Sequence, residues 1–140
     1  MTDNPPDALF VSPWNREGGL ATYSQYLVPH LRNHCSVDVH PWDSESLLVR
    51  GTGLLLLTRT FLRRLWNADV VHVQYSFGRY LASLPVLLLL ATLFRTPVVI
   101  TQHERFDNLP FPSALHAYHQ LLYVLVDRII VHTEARADLV

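Results

Sequence analysis

The chain has 140 residues, 49% of them hydrophobic and 16% charged, enough to bury one sizeable core and too apolar for a disordered or repeat protein. Eleven Lys and Arg against twelve Asp and Glu leave a formal net charge of -1, without the broad basic footprint of a nucleic-acid binder. The single cysteine, Cys35, excludes an internal disulfide and suits a reducing compartment, and the start MTDNPPDALF lacks the regions of a secretory signal.

Residues 1–7 read as a flexible, Pro-containing lead to one domain spanning 1–140. Ala8 to Ser12 is a short apolar run that predicts the first strand, followed by the loop Pro13 to Gly18. A helical pattern then places Leu20, Tyr23, Leu27 and Leu31 on one face. Pro29 lies inside it and removes the hydrogen bond to the Gln25 carbonyl, which predicts a kink or an early end. Ser36 to His40 alternates as a strand does, and Pro41-Trp42-Asp43 closes it. Leu54, Leu55, Leu57, Phe61, Leu62 and Leu65 mark a second helix after Gly51 and Gly53, with Arg59, Arg63 and Arg64 able to reach solvent.

Ala68 to Tyr75 is a β-branched run of strand length, followed by a Ser-Phe-Gly turn and an apolar helix over Tyr80 to Phe94. Its stretch Leu81 to Phe94 runs for 14 residues and contains Pro85, short of the roughly 20 that cross a bilayer, so a buried helix is expected. Arg79 and Arg95 flank it and keep an interfacial segment as the alternative. Val98 to Gln102 is the next strand, and a loop from His103 to Pro112 leads to Ser113, an N-cap for a helix with Leu115, Tyr118, Leu122 and Leu125 inward. Asp127 to His132 gives a last strand, and a helix begins at Glu134. Strands alternating with helices predict a Rossmann-like, doubly wound α/β domain, its sheet mainly parallel and covered on both faces.

In such a sheet ligands bind at the carboxyl ends of the strands, so the residues that carry chemistry are loop residues. Gly18-Gly19, placed between the first strand and the first helix, lets the backbone approach a ligand and leaves helix N–H groups for a phosphate or sugar hydroxyl. A plain turn is the competing reading, because the pair is neither G-x-G-x-x-G nor a Walker loop. His103 follows its strand directly, so its imidazole should project into the crevice and act near neutral pH, against the alternative of a structural loop histidine. His72, mid-strand, reads as a satisfied buried histidine.

His103-Glu104 is not a metalloprotease motif, since Asp107 stands where the second histidine belongs. His116 and His119, one turn apart, lack a third metal ligand nearby and read as a solvated helix flank, so no metal is expected. G-x-S-x-G is absent, which leaves nucleophilic hydrolysis unsupported, and the missing G-x-G-x-x-G argues against a dehydrogenase.

Taken together, GGLATYSQYLVPHL, ADVVHVQYSFGRY, TPVVITQHERFDNL and DRIIVHTEARADLV, in this order, resemble the N-terminal half of GT-B fold retaining glycosyltransferases of family 4, over nearly the whole chain. The resemblance implies that Gly18 and Gly19 face the donor's phosphates, with Glu104 also on the donor side, and that His103 contacts the donor sugar near the reacting centre. It implies that Tyr75, Phe77, Arg79 and Tyr80 line the acceptor pocket. The sequence departs from the pattern at Gln74, where such proteins often carry a second histidine, at His34-Cys35 in place of a glycine-histidine pair, and at Pro29.

In that family a second domain holds most of the nucleotide-sugar and neutralises the leaving diphosphate, and nothing of that kind lies within these residues. The expectation is therefore an incomplete GT-B: the acceptor-side half of an enzyme, with a missing C-terminal domain or a separate partner chain, inactive alone because diphosphate departure needs cations. The implied reaction transfers sugar, with retention, from a nucleotide-sugar donor to a glycan, polyol or lipid-linked acceptor, without a cofactor or metal. It would take place in the cytoplasm, with peripheral contact at the inner face of the membrane. The alternative is a non-catalytic binding or regulatory module, or one subunit of a split transferase.

Overall fold

The computed structural model describes residues 5–42, 57–76, 80, 82–103 and 112–131. Phe77, Arg79, Glu104, the glycines Gly51 and Gly53, the leucines Leu54 and Leu55, and the helix expected from Glu134 lie outside the described residues.

Among the described residues strands and helices alternate: β1 Asp7–Ser12, α1 Gly19–Leu31, β2 Ser36–Pro41, α2 Arg59–Asn67, β3 Val70–Tyr75, α3 Ser83–Phe94, β4 Val98–Gln102, α4 Pro112–Tyr123 and β5 Arg128–Val131. The strands form one sheet in the order β2-β1-β3-β4-β5, and every pairing is parallel. Parallel neighbours need a crossover between them, and the helices supply it. This is the doubly wound α/β arrangement that the alternation of patterns predicts.

Side chains alternate across a strand, so each strand feeds two faces. Leu9, Val11, Val71, Val73, Tyr75 and Ile100 point one way, into a cluster with Phe61 and Leu65 of α2, Leu84, Leu87, Leu88 and Ala91 of α3, and Leu122 of α4. Phe10, Ser12, His72, Gln74 and Thr101 point the other way, toward α1, whose Ser24 hydroxyl lies 2.5 Å from that of Ser12. α1 therefore covers one face while α2, α3 and α4 cover the other.

Local chemistry sets the helix ends. Thr58 caps α2 by accepting from the Phe61 N–H at 3.2 Å. Arg95, at φ 58, takes the left-handed position after α3, and the Thr96 N–H reaches back to the Ala91 carbonyl at 2.9 Å. α1 runs through Pro29 and stops at Leu31, two residues later. The spacing misplaces the inner face of α1: Ala21, Ser24 and Val28 are buried, whereas Tyr23 is 36% exposed. Two small residues bring the helix backbone close to the sheet, and Ser24 spends its hydroxyl on Ser12 and the Leu20 carbonyl. α3 is the buried helix expected, though Leu89 and Leu93 are exposed. No helix among the described residues is long and apolar enough to cross a membrane.

Candidate functional site

Strand order reverses at β1, where the chain first steps outward to β2 and later returns past β1 to β3, β4 and β5. The crevice at the carboxyl ends of β1 and β3 is the position where open α/β sheets bind ligands. Two loops reach it. The loop after β1 holds Asn15 at φ 53 and Gly18 at φ 136 and ψ 146, a combination that only glycine adopts without strain. Gly18 is the N-cap of α1; its carbonyl accepts the first helical bond, from Thr22 at 3.0 Å, and no side chain caps the helix start.

A Cβ built on Gly18 or on Gly19 would meet nothing within 4 Å, so both border open space. That space is a cavity of about 210 Å³ lined by Pro13, Arg16, Glu17, Gly18, Gly19 and, from the far side of the crevice, Ser76 after β3. The first-turn N–H groups of α1 and the positive end of its dipole therefore face this cavity, whose lining includes one basic and one acidic residue, Arg16 and Glu17.

His103 stands two strands away on the same edge. Its N–H bonds the Tyr75 carbonyl at 3.4 Å, which ties the tip of β4 to the tip of β3 beside Ser76. Its half-buried ring packs against Tyr23 of α1, edge to face, with centroids 5.1 Å apart. The glycine loop, the first turns of α1 and the imidazole thus share one end of the sheet, as the position of His103 after its strand predicts.

Behind His103 runs a line of polar groups that sequence reasoning did not join. The Gln74 Oε1 lies 2.5 Å from His103 Nε2, Gln74 Nε2 lies 3.3 Å from His72 Nε2, and the Thr101 hydroxyl lies 2.8 Å from the same His72 nitrogen. Gln74 is fully buried and Thr101 1% exposed, so each needs these bonds. Burial lowers the His72 pKa to about 4, and the ring is neutral at pH 7. His72 is the satisfied histidine expected of it. Period-two spacing was the available signal, because 72 and 74 share a face on one strand and 101 and 103 on the next.

Tyr75 and Tyr80 differ from expectation. Both are fully buried in the core, so their side chains offer no surface to an acceptor. Tyr80 stacks on Trp42 with centroids 4.1 Å apart, and the Tyr75 hydroxyl meets His119 Nε2 at 2.8 Å. His119 is 1% exposed rather than a solvated flank; its Nδ1 lies 2.7 Å from the Leu115 carbonyl, and burial lowers its pKa. Beside it the Tyr123 hydroxyl donates to Gln102 Oε1 at 2.6 Å, and burial pushes that phenol well up. Among the described residues no group of three or more His, Cys, Asp or Glu is placed to hold a metal.

A larger cavity, about 670 Å³, opens at the amino edge of the sheet between β1, β2 and α2. Arg64 there bonds Asp38 at 3.1 Å and the Val39 carbonyl at 3.3 Å, while Arg59 and Arg63 line the wall. In open α/β sheets ligands bind outside the carboxyl ends of the strands, so size alone does not make this groove the site. The fold and the smaller cavity define a doubly wound α/β domain with a candidate site at its switch point. No family model matches the chain, and no curated protein matches it.

Proposed function

We propose that the chain is the acceptor-side half of a retaining glycosyltransferase, moving a sugar from a nucleotide-sugar to a glycan, polyol or lipid-linked hydroxyl. The observation that carries this reading is that Gly18, Gly19 and His103 lie at the same edge of the sheet, the His103 ring packing on Tyr23 of the helix that Gly19 opens. The bare backbone and helix start at Gly18-Gly19 suit the donor's diphosphate. His103 suits the donor sugar, where an imidazole can bond a hydroxyl or stabilise charge that develops as the diphosphate leaves. The resemblance adds Glu104 on the donor side and Phe77 and Arg79 on the acceptor side. It also assigns the cations that neutralise the leaving group to a second domain or partner chain, and the reaction to the cytoplasm at the inner membrane face.

The test is sugar transfer by the complete enzyme from a panel of nucleotide-sugars. His103→Ala should lower kcat by about 100-fold or more in a variant that remains folded. A variant that transfers at the parent rate removes His103 from the reaction.

A second reading, a non-catalytic module recruited to a membrane or a partner, is favoured by one observation. α2, α3 and α4 contain no Asp or Glu, and Trp66, Leu89, Leu93 and Leu121 are exposed on them. Flotation with anionic vesicles, in the absence of any nucleotide-sugar affinity, would favour it.

A further inference from the structure

We infer that Gln74 is a positioning residue that sets the tautomer of His103, holding the ring proton on Nε2 and placing the lone pair on Nδ1. The inference rests on His103 being the site imidazole, but the hydrogen bonds behind it exist whatever the ligand.

The Gln74 carboxamide sits fully buried between two imidazoles, its oxygen toward His103 Nε2 and its nitrogen toward His72 Nε2. Which way the amide points follows from the third member of the line. Thr101, 1% exposed and among the described residues hydrogen-bonded through its hydroxyl to His72 Nε2 alone, has an O–H that finds its acceptor there. His72 Nε2 therefore carries a lone pair and accepts from both the Thr101 hydroxyl and the Gln74 NH₂. Burial keeps that ring neutral, which is the state this requires. The Gln74 oxygen is then left facing His103, where it can only accept, so His103 Nε2 carries hydrogen.

Turning the amide over would make one His72 N–H serve both the Gln74 and the Thr101 oxygens. It would also strand the hydroxyl proton of a buried threonine, at the cost of an unmade hydrogen bond. The line of bonds thus has one consistent polarity, running from Thr101 through His72 and Gln74 to His103.

The consequence concerns chemistry at the site. With the Nε2 hydrogen committed to Gln74, Nδ1 carries the lone pair of the neutral ring. Gln74 also stands where the resembling family often has a histidine. A carboxamide does not titrate near neutral pH, so here it orients the imidazole without acting as an acid or base.

Long-range proton–nitrogen correlation spectra of the ¹⁵N-labelled chain at pH 8 test this without any ligand or activity. His103 should show a pyrrole-type Nε2 and a pyridine-type Nδ1. In Gln74→Leu the two shifts should move toward each other as both tautomers populate, whereas Gln74→Glu should restore the parent pattern and raise the pH at which the ring titrates. A pyridine-type Nε2 in the parent chain overturns the inference, as do His103 shifts unchanged in Gln74→Leu. If Gln74→Leu fails to fold, the parent spectrum alone decides. An enzyme inert toward every nucleotide-sugar would refute the proposed function and leave this result standing.

Discussion

The two faces of the sheet are built from alternate residues of the same strands, yet they carry opposite chemistry. Toward α2, α3 and α4 the central strands present Val71, Val73, Val98 and Ile100, all at most 1% exposed. Toward α1 they present His72, Gln74 and Thr101, joined by hydrogen bonds that end on His103. Apolar burial stabilises without direction, while a buried polar line fixes one orientation of each member. The first face accounts for folding, and the second aims a side chain at the crevice.

That division can be broken most forcefully on the apolar side. Ile100→Ala removes a fully buried side chain from the main cluster and should cost about 2–5 kcal/mol in urea unfolding. A loss under about 1 kcal/mol would mean that this face does not dominate stability.

Acid sharpens the comparison on the polar side. The His72 pKa is lowered from 6.5 to about 4 in the folded chain, so as pH falls the unfolded chain takes up the proton first. Its share of stability is complete above pH 6.5 and is lost between 6.5 and about 4, amounting to roughly 3 kcal/mol. His40, lowered to about 4 chiefly by burial and further by Arg64, adds in the same window. His72→Gln should flatten the dependence of unfolding free energy on pH over that range, and a slope equal to the parent's would place the titration elsewhere.

A smaller effect separates the two glycines. Gly18→Ala forces a Cβ onto φ 136 and should cost about 1–3 kcal/mol, although open space surrounds it. Gly19 has no such backbone and equal room, so Gly19→Ala should be neutral or should stabilise by up to about 1 kcal/mol. Thermal midpoints compare the pair, and equal losses would mean that the backbone at Gly18 is not what demands glycine.

Much of the architecture was legible because parallel strands buried on both faces leave continuous apolar runs. Val98 to Gln102 stands as expected, and the other strands begin or end within two residues of their patterns. The helices were legible as elements but less so as faces. Tyr23 and His119 were both placed on the wrong side, for one reason: hydropathy ranks a tyrosine as core and a histidine as surface. Tyr23 lies outward because Ala21 and Ser24 allow closer packing, and His119 lies inward because the Tyr75 hydroxyl meets it there. Leu115 and Leu122, four residues before and three after His119, already put it on the inner stripe by spacing.

The positions of Gly18, Gly19 and His103 could be read from the strand ends alone. Gln74 and Thr101 could not, because a polar residue inside an apolar strand has no sign of its partner until strand order is known. Tyr75 shows the converse error, since a residue at a strand tip turns toward the crevice or into the core according to its parity.

The central claim is that the glycine loop and His103 form one ligand site at the carboxyl edge. Titrating the ¹⁵N-labelled chain with UDP-, GDP- and ADP-sugars tests it directly. For at least one of them the Gly18 and Gly19 amides and the His103 imidazole should shift together along a single binding curve. Shifts confined to the groove beside Arg59 and Arg63, or separate curves for the glycines and the imidazole, would contradict it.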